Sequence, residues 1–265
     1  MRDICRAGSI FKLLQVSDVE MPLKDRPVVK GLTGLVEGMK TRRRAVGPAA
    51  ILAILALGVS AFLAIADEVA EGEIRALDSQ LFLLLRDPAD PSRPLGPPWL
   101  QEAALEITAL GGYALIILAL GVLTGLLVVT RRYGPALYAV LSVALGALVS
   151  HGFKQYYARP RPDLVDHLDT VHTASFPSGH AMITTVAYLT LAALVVRFFD
   201  DLRVRIYVVC VALFIAVLVG LSRVYLGVHW PSDVAAGWAL GIAWACVTWL
   251  AVAALQFWRS RASGP

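Results

Sequence analysis

The stretch VGPAAILAILALGVSAFLAIA, from Val46 to Ala66, decides which kind of fold this chain adopts. It contains no charged residue. A helix needs about 20 consecutive, mostly apolar residues to cross the hydrocarbon core of a bilayer, because each residue adds only about 1.5 Å of rise. The stretch has that length, so it predicts a transmembrane helix.

Further apolar runs follow along the chain and repeat this pattern. They are Gly112–Thr130, Pro135–Ser150, Ala181–Val196, Ile206–Leu221 and Val234–Phe257. Hydrophobic residues make up 57% of the 265-residue chain, whereas soluble domains are roughly 45–50% apolar. The sequence therefore predicts an all-α, polytopic membrane protein built as a bundle of six transmembrane helices.

Basic residues lie at the membrane borders of alternate loops. They are Lys40, Arg42, Arg43 and Arg44 before the first span, Arg131 and Arg132 after the second, Arg197, Arg203 and Arg205 after the fourth, and Arg259 and Arg261 after the sixth. Cytoplasmic loops carry an excess of Lys and Arg, so both termini are predicted to be cytoplasmic. The net charge of +4 thus indicates topology, and no nucleic-acid partner is predicted.

Composition divides the chain into three parts. The predicted parts are a basic cytoplasmic tail at residues 1–45, the six-helix membrane domain at residues 46–258, and a short cytoplasmic tail at residues 259–265. Within the first tail, Ile10–Leu14 fits an amphipathic surface helix or a loosely ordered segment equally well. After the first span, Leu77–Leu85 and Trp99–Leu110 are too short to cross, and they predict two helices lying along the outer surface.

Positive charge also occurs on the outer side, where the positive-inside rule predicts little. An anionic ligand is the simplest reason for Lys154, Arg159, Arg161 and Arg223 in the outer segments. Within KQYYARPRP, the Lys154 ammonium and the Arg161 guanidinium can close on the same phosphate oxygens. A basic run at the end of a span can equally be a snorkelling anchor, so this stretch alone leaves both interpretations open.

The stretch FPSGH, residues 176–180, comes directly before the fourth predicted span. A helix that begins there has unpaired backbone N–H groups free to hold an anion, and Gly179 allows close approach to the backbone. His180 would then stand beside that anion, placed for proton transfer. The alternative is an ordinary turn in which Ser178 caps the helix.

The stretch SRVYLGVHWPSDV, residues 222–234, separates the last two predicted spans. His229 and Asp233 are four residues apart, so on a helix they would share a face. A carboxylate on one imidazole nitrogen leaves the other free as a nucleophile or base, and Arg223 could neutralise phosphate charge. The alternative is an interfacial histidine beside a helix-capping aspartate.

In their order and spacing, the three stretches resemble the type 2 phosphatidic acid phosphatase superfamily, which also includes bacterial acid phosphatases and vanadium haloperoxidases. The family pattern is K-x6-RP, then PSGH, then SR-x5-H-x3-D, and the chain matches it without a departure. The resemblance in motifs covers Lys154–Asp233, and the six-span layout extends it to most of the chain from Val46.

The resemblance implies a role for each matching residue. His229 would attack phosphorus and form a phosphohistidine, Asp233 would orient it, and His180 would act as acid and then base. The phosphoryl oxygens would be bound by Lys154, Arg161, Ser178, Gly179 and Arg223. Arg159 repeats the Arg-Pro unit two residues early, but only Arg161 has the family spacing from Lys154. No metal is predicted, because three cations already crowd the proposed phosphate pocket, and no cofactor is predicted.

The function implied is that of an integral-membrane lipid phosphatase that hydrolyses a phosphomonoester or diphosphate headgroup. Family analogy makes undecaprenyl diphosphate the first choice of substrate, with phosphatidic acid, phosphatidylglycerol phosphate and lipid A phosphates as alternatives. The predicted partners are this isoprenoid or phospholipid phosphate and the bilayer. The predicted location is the inner membrane, with the active site on the outer, periplasmic side.

Three other functions were weighed. A metal-dependent hydrolase could use the cluster Asp163, Asp166, His167, Asp169 and His172, but its spacing matches no recognisable metal site, and a solvated loop explains it better. A vanadium haloperoxidase shares the motifs, but those relatives are soluble and this chain has clear spans. An anion channel or transporter would place ionisable groups deep within the spans, and the apolar runs contain essentially none.

Overall fold

The computed structural model describes residues 27–170 and 173–262, and these residues form eight helices and no strand. The helices are α1 (Pro27–Glu71), α2 (Arg75–Leu83), α3 (Pro98–Ala109), α4 (Tyr113–Val129), α5 (Tyr133–Tyr157), α6 (Gly179–Val196), α7 (Leu202–Tyr225) and α8 (Pro231–Ala262). An isolated bridge between Arg86 and Pro94 closes the loop between α2 and α3.

Five of the six predicted spans lie within one helix each, and the second, Gly112–Thr130, extends one residue beyond α4 at either end. The prediction of an all-α membrane bundle is confirmed. Within the described residues, five helices are long and apolar enough to cross a membrane by themselves: α1 from Gly47, α5, α6, α7 and α8. With 17 residues, α4 is the shortest of the six, and it passes the same test together with α3, from which it is bent by 43°.

Two helices differ from their predicted form. The sequence predicted Trp99–Leu110 as a separate surface helix, whereas α3 and α4 together make one broken candidate span. The third span was predicted to end at Ser150, but α5 continues to Tyr157, and Lys154 in this extension is only 8% exposed. Helix α5 ends where Ala158 adopts the left-handed conformation, a common way to stop a helix.

The described residues divide into two compact units, one up to residue 49 and one from residue 50 onward. In the first unit, the described part from Pro27 is helical. The predicted surface patch Ile10–Leu14 and the last residues of the C-terminal tail, 263–265, lie outside the described residues. The limits of the predicted tails and membrane domain stay predictions.

Small residues let α6 and α8 pack very closely. A Cβ atom on Gly237 would lie 2.8 Å from the carbonyl oxygen of Ser178, and one on Gly241 would lie 2.9 Å from that of Met182. Glycines four residues apart on one helical face allow two membrane helices to touch backbone to backbone. This contact holds the start of α6 against the start of α8, where the Ser178 N–H donates to the Asp233 carbonyl at 2.9 Å.

Candidate active site

The direction of the helices brings the three motifs to one end of the bundle. Helices α5 and α7 finish at this end, so Lys154 and Arg223 lie in their last turns. Helices α6 and α8 begin there, which places His180 and Asp233 in their first turns. Residues far apart in sequence therefore meet around one site.

His229 and Asp233 form a buried pair at the centre of this site. His229 Nδ1 lies 3.3 Å from Asp233 Oδ2, and both side chains are at most 2% exposed. Because a carboxylate can only accept, this contact favours the tautomer that carries its proton on Nδ1. The other nitrogen, Nε2, is then free of a proton and faces Arg161 Nη1 at 3.4 Å.

The surroundings of His229 favour its neutral form. Burial lowers the pKa of His229 far below its ordinary value, and the hydrogen bond and negative charge of Asp233 only partly oppose this effect. A neutral imidazole has a lone pair on Nε2, and that lone pair is what a nucleophile needs. His229 is thus chemically ready to attack an electrophile at neutral pH.

Asp233 is held by several donors at once. Its Oδ2 accepts from Ser175 Oγ and, at 2.9 Å, from the Trp230 N–H. Its Oδ1 accepts from Arg159 Nη1 at 2.6 Å. A carboxylate with this many fixed donors has one orientation, so the position of His229 is set as well.

Lys154 and Arg161 approach the site from α5 and the loop that follows it. The Lys154 ammonium donates to the carbonyl oxygen of Ala174 at 2.6 Å. Arg161 Nη1 donates to the carbonyl oxygen of Val228 at 2.6 Å. Burial and then the charge of Arg223 lower the pKa of Arg161 to about 10, so the guanidinium stays charged at neutral pH.

Arg223 supplies a third positive charge and is almost completely buried. Its Nη1 donates to Thr108 Oγ1 on α3 at 3.0 Å and to Asp169 Oδ2 at 2.5 Å, while its Nε is buried with no partner among the described residues. Burial raises the pKa of Asp169, but the hydrogen bond and charge of Arg223 outweigh it, so this pKa is lowered overall. Asp169 is therefore ionised beside a cation that could bind phosphate.

The N-terminus of α6 forms another wall of the site. Ser178 Oγ accepts from the Ala181 N–H at 3.4 Å and so acts as the N-cap of the helix. A Cβ atom on Gly179 would lie 3.3 Å from Lys154 Cε, which places the start of this helix directly beside the lysine. His180 follows in the first turn, where the charges of Arg223, Asp169, Lys154 and Arg161 all act on it.

The structure brings all eight predicted site residues together, but the local geometry of one pair differs from the sequence analysis. His229 and Asp233 were placed on one helical face, whereas α8 begins at Pro231 and His229 lies in the preceding turn. The pair still meets, because the turn folds His229 back over the first turn of α8. The roles given to these residues stay predictions.

Four residues around Asp233 were not predicted to lie there. The sequence placed Arg159 among the cations for an anionic ligand, whereas it pairs with Asp78 and Asp233. No role was predicted for Asp78, Ser175 or Ser232. The doubled Arg-Pro unit was a usable signal for Arg159. Asp78 lies on the short helix α2 and gave no signal, because only the fold brings it to Ser232, 154 positions along the chain.

The acidic and histidine side chains described between the motifs do not converge on a position that a metal ion could occupy. Asp163 pairs with Arg75, His167 Nε2 lies 2.8 Å from the Pro162 carbonyl, and Asp169 pairs with Arg223. His172 lies outside the described residues. Across residues 27–170 and 173–262, no group of three His, Cys, Asp or Glu side chains could hold a metal ion.

Activity is expected to persist in EDTA. The site already offers three cations, so phosphoryl charge can be neutralised without a divalent ion. Phosphate release by purified protein should be measured with and without chelator. Complete loss of activity that added Mg²⁺ or Zn²⁺ restores would contradict this prediction.

A buried His–Asp pair and three cations at one end of a helical membrane bundle suit the chemistry of a membrane phosphatase. Residues 135–257 match the PAP2 superfamily. The chain is 34% identical over 150 residues to phosphatidylglycerophosphatase B of Bacillus subtilis, covering 55% of this chain and 71% of that protein. The chain therefore belongs to the PAP2 superfamily and is a phosphatase.

Two further comparisons agree with this membership. The chain is 34% identical over 124 residues to an undecaprenyl-diphosphatase of Sulfolobus acidocaldarius, covering 42% of this chain and 52% of that protein. The crystal structure of a transmembrane PAP2-type phosphatidylglycerolphosphate phosphatase from Bacillus subtilis superposes with a TM-score of 0.62 at 29% identity. That superposition covers 72% of this chain and 94% of the other.

Proposed function

We propose that this protein removes a phosphate group from a membrane lipid through a covalent phosphohistidine at His229. The observation that carries the proposal is the arrangement of the His229 ring. Nδ1 lies against Asp233, and Nε2 faces Arg161 at 3.4 Å. A phosphoryl group bound by the cations would stand in front of that free nitrogen.

The proposed reaction has two steps. In the first, the Nε2 lone pair attacks phosphorus, the bond from phosphorus to the leaving oxygen breaks, and His180 gives that oxygen a proton. In the second, His180 takes a proton from water as the water oxygen attacks phosphorus, and the P–N bond returns its electron pair to His229. Inorganic phosphate leaves.

Cations and backbone N–H groups stabilise the charge that develops in both steps. A phosphoryl transition state spreads negative charge over three equatorial oxygens, so catalysis depends on positioned positive groups. We assign this role to Lys154, Arg161 and Arg223, assisted by Ser178 and the Gly179 N–H. Arg223 would exchange its contact with Asp169 for one with phosphate.

The position of the site favours an amphiphilic substrate. It lies at the ends of membrane-spanning helices, where a lipid can keep its tail in the bilayer while its headgroup enters the polar pocket. Undecaprenyl diphosphate is our first choice, and the name of the Sulfolobus relative agrees with it. The name of the Bacillus relative supports phosphatidylglycerol phosphate, while phosphatidic acid and lipid A phosphates are weaker candidates.

A panel of lipids distinguishes these substrates. Purified protein in detergent micelles should be given each candidate at equal surface concentration, and phosphate release should be measured as kcat/KM. We expect undecaprenyl diphosphate to give the highest value. A higher value for phosphatidylglycerol phosphate would overturn the choice of substrate, and absence of phosphate release from every lipid would overturn the lipid phosphatase.

The active site is proposed to face the periplasm, with both termini in the cytoplasm. The basic residues in the loops at the other ends of the spans from the active site support this orientation. Single cysteines introduced at Arg131 and His167 should react with an impermeant thiol reagent from opposite sides of the membrane. Labelling of both positions from one side would show that the topology is wrong.

A further inference from the structure

A buried ion network connects the outer helix α2 to the proposed catalytic aspartate. Arg159 spans two carboxylates, with Nη1 at 2.6 Å from Asp233 Oδ1 and Nη2 at 2.8 Å from Asp78 Oδ2. Both carboxylate side chains are at most 2% exposed, and the arginine side chain is 11% exposed. One guanidinium therefore holds an acid on α2 and an acid on α8.

Arg159 supplies the positive charge that Asp233 needs while His229 is neutral. The other donors to Asp233 are the neutral groups Ser175 Oγ and the Trp230 N–H. An ionised carboxylate in a buried position is strongly unfavourable unless a counter-charge accompanies it. Arg159 is the only cation that hydrogen-bonds to Asp233 in the described part of the chain.

Asp78 in turn fixes both Arg159 and the start of α8. Its Oδ1 accepts from the Ser232 N–H at 2.9 Å, and its Oδ2 accepts from Ser232 Oγ at 2.5 Å as well as from Arg159. A carboxylate on the first free N–H groups of a helix caps it and interacts favourably with its dipole. Asp78 thus anchors the helical turn that carries Asp233.

The two arginines of the doubled Arg-Pro unit point to opposite sides of the His–Asp pair. Arg161 lies beside His229 Nε2, on the side where phosphate is proposed to bind. Arg159 lies behind Asp233 and stacks near the ring of Trp230, with its guanidinium carbon 5.8 Å from the ring centre. The repeated sequence therefore supplies two different functions.

We propose that Arg159 and Asp78 are positioning residues, which hold Asp233 ionised and oriented so that His229 can attack. This inference rests on the proposed role of His229 as nucleophile. Neither residue is proposed to touch the phosphoryl group. They act through Asp233, and their loss should change the rate of the chemical step rather than the binding of phosphate.

The test measures kcat separately from the inhibition constant of inorganic phosphate, in full-length protein purified in detergent. Replacing outer partners of metal-binding histidines costs about 10- to 100-fold in activity, and a comparable loss of kcat is expected for Arg159→Gln. The inhibition constant of phosphate should stay unchanged. Arg161→Gln is the contrasting variant, because it should raise that constant.

Asp78→Asn gives a milder version of the same test. The substitution keeps the shape of the side chain and the acceptor oxygen for Ser232, but it removes the negative charge of residue 78 that faces Arg159. A smaller loss of kcat is therefore expected, with the inhibition constant of phosphate unchanged. The matched controls are Arg75→Gln and Asp163→Asn. Arg75 on α2 and Asp163 on a loop form an exposed ion pair, with Arg75 Nη2 3.9 Å from Asp163 Oδ2. Both controls should keep wild-type kcat.

A double substitution separates positioning from general destabilisation. With Asp233→Asn already present, no carboxylate charge remains for Arg159 to hold, so adding Arg159→Gln should reduce kcat little further. Unchanged kcat in Arg159→Gln or Asp78→Asn would overturn the inference, as would a full additional loss in the double variant. A raised inhibition constant of inorganic phosphate in Arg159→Gln would instead indicate that Arg159 binds phosphate.

Two results keep this inference separate from the proposed mechanism. A wild-type protein that forms no phosphohistidine would overturn the mechanism itself, whatever the variants do. If Arg159→Gln unfolds, Asp78→Asn decides in its place. If Arg159→Gln folds, Arg159→Lys should recover part of the lost kcat, because a lysine keeps the positive charge at Asp233. A lysine variant as slow as Arg159→Gln would contradict the counter-charge role.

Discussion

His229→Ala is expected to remove turnover and to leave no phosphoenzyme under any condition. Without Nε2 there is no nucleophile to form the P–N bond. Loss of the nucleophile or its general base lowers kcat by about 10⁶-fold in a serine protease, and an effect of that order is expected here. Rapid-quench labelling with phosphate-labelled substrate and peptide mapping measure it.

The matched control for this substitution is His151→Ala. His151 lies on α5 with an exposed side chain and takes no part in the site. It should retain wild-type labelling at His229, which shows that removal of a histidine as such is harmless. Label that persists in His229→Ala, or that maps to His180 in the wild type, would mean that the two roles are wrongly assigned.

The spans could be predicted from sequence because their signal is local. A run of about 20 apolar residues has few alternatives to a transmembrane helix, and Val46–Ala66 lies within α1 as expected. The limits of α5 were predicted less well. Its last two turns carry polar and aromatic residues, including Lys154, and hydropathy alone ends the span at Ser150.

The predicted site residues also came from local patterns, each tied to a helix end. His180 could be placed because Pro-Ser-Gly directly precedes the fourth apolar run, whereas Asp233 was placed by its spacing of four residues from His229. The ion network behind Asp233 could not be predicted in this way. Its contacts join Arg159 to residues 81 and 74 positions away, and such distances are set by helix packing rather than by any short motif.

The contact between Arg223 and Asp169 had no signal for the same reason. The sequence predicted Asp169 as part of a solvated loop, whereas its carboxylate pairs with Arg223, a cation of the site. The contact with Thr108 was equally unexpected, since α3 was predicted as a separate surface helix and instead reaches Arg223. Both contacts depend on how α3 and the loop before α6 fold over the end of α7.

His180→Ala is expected to fail in a different way from His229→Ala. His180 would protonate the leaving oxygen and later activate water, and general acid–base help of this kind is worth about 10²–10⁴-fold. The loss should therefore be severe but not absolute. A substrate with a good leaving group, such as an aryl phosphate or a diphosphate, needs little protonation in the first step, whereas the second step still lacks its base.

With such a substrate, the His180→Ala enzyme should accumulate phosphohistidine at His229, stable to base and labile to acid. Asp233→Asn provides the contrast, because it leaves His180 intact but misorients the imidazole of His229. It should slow labelling without abolishing it, and label should not accumulate beyond the wild-type level. The same rapid-quench measurement follows all three variants. Equal loss of label in His180→Ala with poor and good leaving groups would contradict the acid role, because protonation matters only when the leaving oxygen is basic.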